Sequence, residues 1–161
     1  MVDFNHPANR RLVAHFQSRN RGGSGRGNPR ELDPAKVENP YYTLGTHPEI
    51  VERLWDELGG VLPVSCRWIL YGRPVLVHPS SGVVFGYAGG TQTYALRLPP
   101  PVRADAIRAG ATTVHEYPAY PELKVAASRL DLADFGPEWV FGGWLKHEDD
   151  WCRAAFEFAA E

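Results

Sequence analysis

The chain has few cysteines, no long apolar run and no excess of basic charge, and each shortage excludes a class of protein. Its two cysteines can form at most one disulfide, which is too few for a disulfide-stabilised secreted scaffold. No segment approaches the roughly 20 apolar residues of a membrane-spanning helix, and no charged-then-apolar leader opens the sequence. A net charge of −2 gives the whole chain no nucleic-acid-binding footprint. These absences predict a soluble, cytoplasmic protein without a membrane partner.

Metal-ligating and nucleophilic patterns are missing as well. No C-x-x-C, H-x-x-x-H or H-E-x-x-H spacing occurs, so no single element presents two zinc ligands. Ser80 and Ser81 stand in a turn sequence and not in a G-x-S-x-G elbow. The glycine-rich stretch 86–91 lacks the Lys-Ser/Thr of a phosphate-binding loop. The sequence therefore predicts no metal and no cofactor, and it favours a non-enzymatic protein while leaving catalytic activity uncertain.

Apolar and aromatic residues are plentiful, at 43% and 12%, and suffice for the core of one domain in a chain of 161 residues. Charge and composition change near residue 41, because residues 1–40 carry seven basic and four acidic side chains, whereas residues 41–161 carry ten and fifteen. Residues 18–30 hold almost no apolar side chain, so burial offers little to offset the entropy of ordering them. We therefore predict a basic, partly disordered arm over 1–40 and one compact domain over 41–161.

One short helix is predicted within this arm. Asn5 and Pro7 form a helix-start pattern, and Leu12, Val13 and Phe16 then fall on one face of a helix over residues 7–18. A helix of this length is weakly populated by itself in water. Its apolar stripe therefore needs a surface, either on the parent domain or on a partner.

The domain is predicted to open with a helix and continue as a sheet. Thr46 and Glu49 form a capping-box pattern before a wide apolar stripe over 50–58. The next segments are rich in β-branched and aromatic residues and are separated by turns too short for a parallel crossover. These four predicted strands cover Ser65–Tyr71, Pro74–His78, Val83–Ala88 and Thr91–Leu98. Alternation in the last run leaves one face of the sheet weakly covered.

The second half of the domain adds further helices and strands. A helix is predicted over Val102–Ala109, a strand over Ala111–Tyr117, a last strand over Trp139–Leu145 and a closing helix with acidic residues in its first turn. Residues 122–134 fit neither the helical nor the strand period. The order predicts an α+β fold after the flexible arm, an antiparallel meander of about four to six strands with two or three helices on one face.

Several segments of this layout resemble the small TfoX N-terminal and YjbR-like domains. The sequence has W-x-x-Y-G at Trp68–Gly72, Y-A-L-R-L at 94–98 and R-A-G-A at 108–111, followed by the strand and amphipathic helix of 139–160. The similarity covers residues 49–160 and implies a non-catalytic adaptor or regulatory module. The Met-Phe-Gly-Gly signature common in the TfoX group is replaced here by Trp68–Gly72, and no family site residue carries over.

The aromatic residues of the predicted sheet support the main functional hypothesis. Eight of them fall in or beside its strands, namely Trp68, Tyr71, Phe85, Tyr87, Tyr94, Trp139, Phe141 and Trp144. Since no catalytic constellation accompanies them, the sequence predicts a non-enzymatic interaction or regulatory module. Its partner is another protein, or a second copy of the chain, bound through an aromatic-rich sheet face or the terminal helix.

A second hypothesis is a binding site for a small anion, or a hydrolytic active site. Four basic side chains are interleaved with the aromatic residues, namely Arg73, His78, Arg97 and His115. Polar groups beside aromatic walls are the usual composition of a binding cleft.

A third hypothesis is nucleic-acid binding through the arm. Its arginines, with Arg-Gly-Gly at 21–23, resemble Arg/Gly segments that neutralise backbone phosphates. The residues concerned are Arg10, Arg11, Arg19, Arg21 and Arg26.

Overall fold

A six-stranded antiparallel sheet organises the computed structural model, which describes residues 1–20, 28–43, 45–90 and 92–161. The strands are β1 Glu31–Leu32, β2 Arg67–Leu70, β3 Arg73–Val77, β4 Val84–Gly89, β5 Thr93–Arg97 and β8 Trp139–Gly142. They are hydrogen-bonded in the order β1-β2-β3-β4-β5-β8. The predicted α+β fold with an antiparallel meander is confirmed, and β1 and β8 extend the meander at its two edges.

The described residues form four α-helices. Their bounds are α1 Arg10–Ser18, α2 Pro48–Glu52, α3 Pro100–Arg108 and α4 Glu148–Ala159. A π-helical turn over Arg53–Leu58 continues α2. The residue that caps α2 is His47, whose Nδ1 accepts a hydrogen bond from the Glu49 amide at 3.1 Å, so the prediction of Thr46 as the cap is wrong. Within the described part of the chain, every helix is too short or too polar to cross a membrane.

Both faces of the sheet are covered, so the expectation of helices on one face and a weakly covered second face is wrong. On one face pack α2 with its π-helical turn, α3 and α4. On the opposite face Leu12 and Phe16 of α1 pack with Tyr87 and Phe141. Ala95, which lies on that second face, is fully buried. The cover comes from a helix far away in sequence, which the alternation within β5 does not reveal.

A β-bulge decides which face the residues of β4 occupy. Leu76 pairs with Gly86 and Val77 pairs with Val84, so Phe85 is an extra residue in β4. Phe85 therefore packs with α4, whereas Tyr87, two residues later, packs against α1 on the other face.

Residues before position 41 contribute to the sheet and to its second face. Asn9 is fully buried, and its side-chain amide donates to the carbonyls of Asp3 and Gly82 at 2.7 and 2.9 Å while its Oδ1 accepts from the Val84 amide at 2.9 Å. The apolar stripe of the predicted N-terminal helix thus finds its surface on the parent sheet. Residues 21–27, part of the arm predicted to be partly disordered, lie outside the described residues.

A second, two-stranded sheet stands beside α1. It consists of β6 Val114–Tyr117 and β7 Ser128–Asp131, which pair antiparallel with Glu116 opposite Arg129. An isolated bridge between Thr112 and Phe141 joins its base to the edge strand β8. The ambiguous segment 122–134 therefore contains β7 and a short 3-10 turn at Leu132–Asp134.

Candidate functional site

A cavity of about 190 Å³ lies between α1, one end of the strands of the main sheet and the two-stranded sheet. Because the strands are antiparallel, the start of β3, the end of β4 and the start of β5 lie at this same end. The side chains and glycines that line the cavity are His15, Phe16, Arg19, Gly45, Arg73, Tyr87, Gly89, Gly90, Thr93, Tyr94, Tyr117, Ser128, Arg129, Leu130 and Phe141. This set includes three arginines and no carboxylate from the described residues.

Arg73, the first residue of β3, is half-buried in this cavity. Its guanidinium carbon lies 5.4 Å from the centre of the Phe16 ring, a cation–π contact across the cavity wall. Gly89 lies beside it on the neighbouring strand, where a Cβ would be in ordinary van der Waals contact with Arg73 Nη1 at 3.4 Å. As the first residue of β3, Arg73 places a cation at this end of the sheet.

Two further cations come from other elements. Arg19 follows the last residue of α1 and is exposed, and Arg129 lies in β7. Arg129 is 3.8 Å from Asp131 at its closest charged atoms, with a side chain that is 59% exposed. The cavity is therefore flanked by positive charge on three sides that are distant in sequence.

His15 lies one turn before Arg19 on the same helix and contacts the Phe135 ring at 4.9 Å between centroids. Burial lowers the pKa of His15, and the neighbouring Arg19 and Arg73 lower it further, against an opposing effect of Asp134. The imidazole is thus neutral at neutral pH. In that form it can both donate and accept a hydrogen bond.

Two of the tyrosines that line the cavity are Tyr87 and Tyr117. Tyr87 is 3% exposed, and its hydroxyl is buried with no hydrogen-bond partner among the described residues. Burial raises the pKa of Tyr87 and also that of Tyr117, although Arg73 opposes both shifts. Both side chains therefore remain protonated at neutral pH, and the half-buried Tyr117 is available as a hydrogen-bond donor.

The structure separates the four residues predicted to form an anion site. Arg73 lines the cavity, and His115 stacks against two of its walls, with ring centroids 4.3 Å from Tyr117 and 5.9 Å from Phe141. His78 instead contacts Phe156 at 4.8 Å, and Arg97 lies over Phe158 at 4.2 Å. The last two residues thus pack against α4 and do not join the first two.

The arginines predicted to bind nucleic acid are divided as well. Arg10 and Arg11 are exposed at the start of α1, whereas Arg19 lines the cavity at its other end. Arg21 and Arg26 lie outside the described residues.

Sequence reasoning missed Tyr117 and Arg129 as site residues. Both belong to the two-stranded sheet, whose second strand comes from the segment that fits neither period. The Glu116–Arg129 pairing across β6 and β7 brings Tyr117 and Arg129 to the cavity, and no spacing along the chain signals it. Tyr87 was noted only as one of many aromatic residues.

Comparisons with known proteins supply no relative. No family model, no curated protein and no solved structure matches this chain. The resemblance to TfoX N-terminal and YjbR-like domains therefore stays a prediction. In the described part of the chain, no group of three or more His, Cys, Asp or Glu side chains is placed to hold a metal ion.

Proposed function

We propose that the chain binds a small organic anion in the cavity between α1, the ends of the strands β3 to β5 and the two-stranded sheet. The observation that carries the proposal is the convergence of Arg19, Arg73 and Arg129 on a lining to which the described residues contribute no carboxylate. A guanidinium presents a planar fork of donors that matches the oxygens of a carboxylate or a phosphate. Like charges gathered without partners repel one another, and a bound anion relieves that repulsion.

The size and the walls of the cavity limit which ligands it can hold. At about 190 Å³ the cavity is smaller than the range of about 300–1,000 Å³ typical for drug-sized ligands, so the ligand is small. Rings from Phe16, Tyr87, Tyr117 and Phe141 supply the apolar part of the wall. Flat aromatic walls favour a flat organic group, because stacked or edge-on rings pack well against one another.

The burial of the aromatic residues supports this function over docking through an aromatic sheet face. Five of the eight aromatic residues are each at most 4% exposed, because helices or the two-stranded sheet cover them, namely Phe85, Tyr87, Tyr94, Trp139 and Phe141. Trp68 and Tyr71 are half-buried and Trp144 is 53% exposed. A protein partner has no access to the five rings that are already packed in a core. Binding of a protein partner through the terminal helix stays a prediction, as does nucleic-acid binding through the arm.

The proposal is tested by titrating phenyl phosphate into the full chain and measuring heat by calorimetry. Tryptophan fluorescence gives a second readout, because the Trp139 ring lies 5.9 Å from the Tyr87 ring. We expect saturable binding that Arg73→Gln weakens about tenfold or more, since a hydrogen bond to a charged group contributes about 1.5–3 kcal/mol.

The matched control is Arg97→Gln. Arg97 is also a sheet arginine stacked on an aromatic ring, but it lies against α4 and not in the cavity. Its replacement is expected to leave the affinity unchanged. Equal losses in the two variants, or no saturable binding to the unaltered chain, would contradict the proposed function. Circular dichroism on both variants verifies that they fold.

A further inference from the structure

The arginines of the cavity have little neutralising charge around them. Among the described residues Arg19 and Arg73 have no carboxylate within 4 Å, and Arg129 has only Asp131 at 3.8 Å. An ion pair as exposed and as long as that between Arg129 and Asp131 neutralises little of the charge. Three arginines on a lining without a carboxylate from the described residues favour a doubly charged anion over a monoanion.

The cavity also offers more hydrogen-bond donors than a carboxylate can use. Beside the three guanidinium forks, Tyr117 and Ser128 bring hydroxyls to it. A carboxylate has two oxygens, whereas a phosphate monoester has three terminal oxygens that accept strongly.

From the charge and the donors we propose that the ligand is the dianion of a phosphate monoester with a flat organic group. Its phosphoryl oxygens contact the cavity arginines, and its organic group packs against the Phe16 and Phe141 rings. This inference rests on the proposed function, since it names the chemical class of the anion that the same cavity holds.

The test compares phenyl phosphate, phenyl sulfate and benzoate, three anions that share one ring and differ in charge and in oxygen number. Affinities are measured by calorimetry on the full chain at pH 7.5 and at pH 5.5. At pH 7.5 we expect phenyl phosphate to bind at least tenfold more tightly than either monoanion. The second ionisation of a phosphate monoester lies near pH 6, so its advantage over phenyl sulfate should fall several-fold at pH 5.5.

Phenyl sulfate also serves as the control for the protein's own titration. The titratable groups that line the cavity are His15, Arg19, Arg73, Arg129, Tyr87, Tyr94 and Tyr117, with Asp134 beside His15, and with Asp131 and Glu116 beside Arg129. Changes in their protonation affect both esters, so the ratio of the two affinities isolates the charge of the ligand.

Variants identify the source of the preference for a dianion. Arg129→Gln should lower the preference for phenyl phosphate over benzoate several-fold, whereas Arg153→Gln, an exposed site on α4, should leave it unchanged. If benzoate or phenyl sulfate binds as tightly as phenyl phosphate at pH 7.5, the inference is wrong and the proposed function stands. If none of the three anions binds, both fail.

Discussion

At the scale of single residues, the Tyr87 hydroxyl is a cost to stability. A buried hydroxyl without a partner loses its hydrogen bonds to water and gains none in return, which costs about 1–3 kcal/mol. The ring itself packs well, with edge-on contacts to Phe16 at 5.1 Å and to Phe135 at 5.9 Å. The core therefore accommodates the ring, while the hydroxyl lacks a structural role among the described residues.

We predict that Tyr87→Phe leaves the melting temperature unchanged or raises it, and leaves phenyl phosphate binding unchanged. The stability follows because the variant keeps the ring and removes only the unpaired hydroxyl. The affinity is unchanged because the hydroxyl is enclosed by protein atoms and the ring stays in the cavity wall. Thermal denaturation and calorimetric titration of the same preparation check the two parts.

Tyr41→Phe is the matched control for Tyr87→Phe. The Tyr41 hydroxyl donates to the Asp56 carboxylate at 2.9–3.0 Å and lies away from the cavity. Its removal should cost some stability, the opposite of the result for Tyr87. A Tyr87→Phe variant that unfolds more easily than the unaltered chain would show that the hydroxyl has a structural partner.

The sequence predicts only in part which basic residues lie close together in the fold. The interleaving of basic and aromatic residues groups Arg73, His78, Arg97 and His115 as one candidate site, and of these Arg73 lines the cavity. Alternation along a strand does not say which helix covers each face, so the grouping includes Arg97 and His78, which pack against α4. The bulge at Phe85 also makes the faces of β4 hard to predict, because one extra residue reverses the alternation along that strand.

At the scale of elements, α1 depends on a polar anchor as well as on its apolar face. Leu12 and Phe16 are buried against the sheet, and Asn9 immediately before the helix ties the N-terminal segment to the loop that precedes β4. Through α1 this anchor also holds His15 and Arg19 at the cavity. The N-terminal segment thus contributes both stability and two groups of the proposed site.

We predict that Asn9→Ala lowers the free energy of unfolding by about 2–4 kcal/mol. The substitution removes three hydrogen bonds and leaves the Val84 amide and the Gly82 carbonyl buried with one fewer partner. Asn5→Ala, at an exposed asparagine of the same segment, should cost less than about 0.5 kcal/mol. Urea denaturation followed by circular dichroism measures both, and similar losses in the two variants would contradict the anchoring role of Asn9.

Elements with strong periodicity were predicted well, and the remaining ones depend on contacts distant in sequence. The runs that became β2 to β5 and α4 carry clear turn and stripe patterns, and their order is confirmed. By contrast, β1 contains only Glu31 and Leu32 and exists because β2 offers an unpaired edge. β7 is mostly exposed and polar, so its strand conformation follows from pairing with β6 and not from its own sequence.

At the scale of the whole molecule, the fold joins two sets of arginines that the sequence keeps apart. The basic N-terminal residues and the sheet arginines suggested two separate functions, nucleic-acid binding and anion binding. Docking of α1 on the sheet brings Arg19 to the same cavity as Arg73, and the two-stranded sheet adds Arg129. The excess of positive charge over 1–40 therefore contributes, in part, to one concave site on a chain whose net charge is −2.

The last prediction concerns the stability of the whole molecule at mildly acidic pH. Burial lowers the pKa of both His15 and His78, and Arg19 and Arg73 add to the effect at His15. The His78 ring accepts hydrogen bonds at Nδ1 from the Ser80 and Ser81 amides at 3.2 Å, which only the neutral ring can do. The unfolded chain thus takes up protons near pH 6.5 that the folded chain resists.

It follows that stability is greatest above pH 6.5 and falls as the pH decreases below that value, because protonation favours the unfolded chain. We expect the melting temperature to change little from pH 7.5 to pH 6.5 and to fall from there to pH 5.5, a window above the titration of ordinary carboxylates. Combining His15→Gln with His78→Asn should flatten this fall, since Asn keeps an acceptor for the turn amides without titrating. The two histidines lie on different elements, so each single variant should remove its own share of the slope. Melting curves that decline equally steeply in the double variant would place the acid sensitivity elsewhere in the molecule.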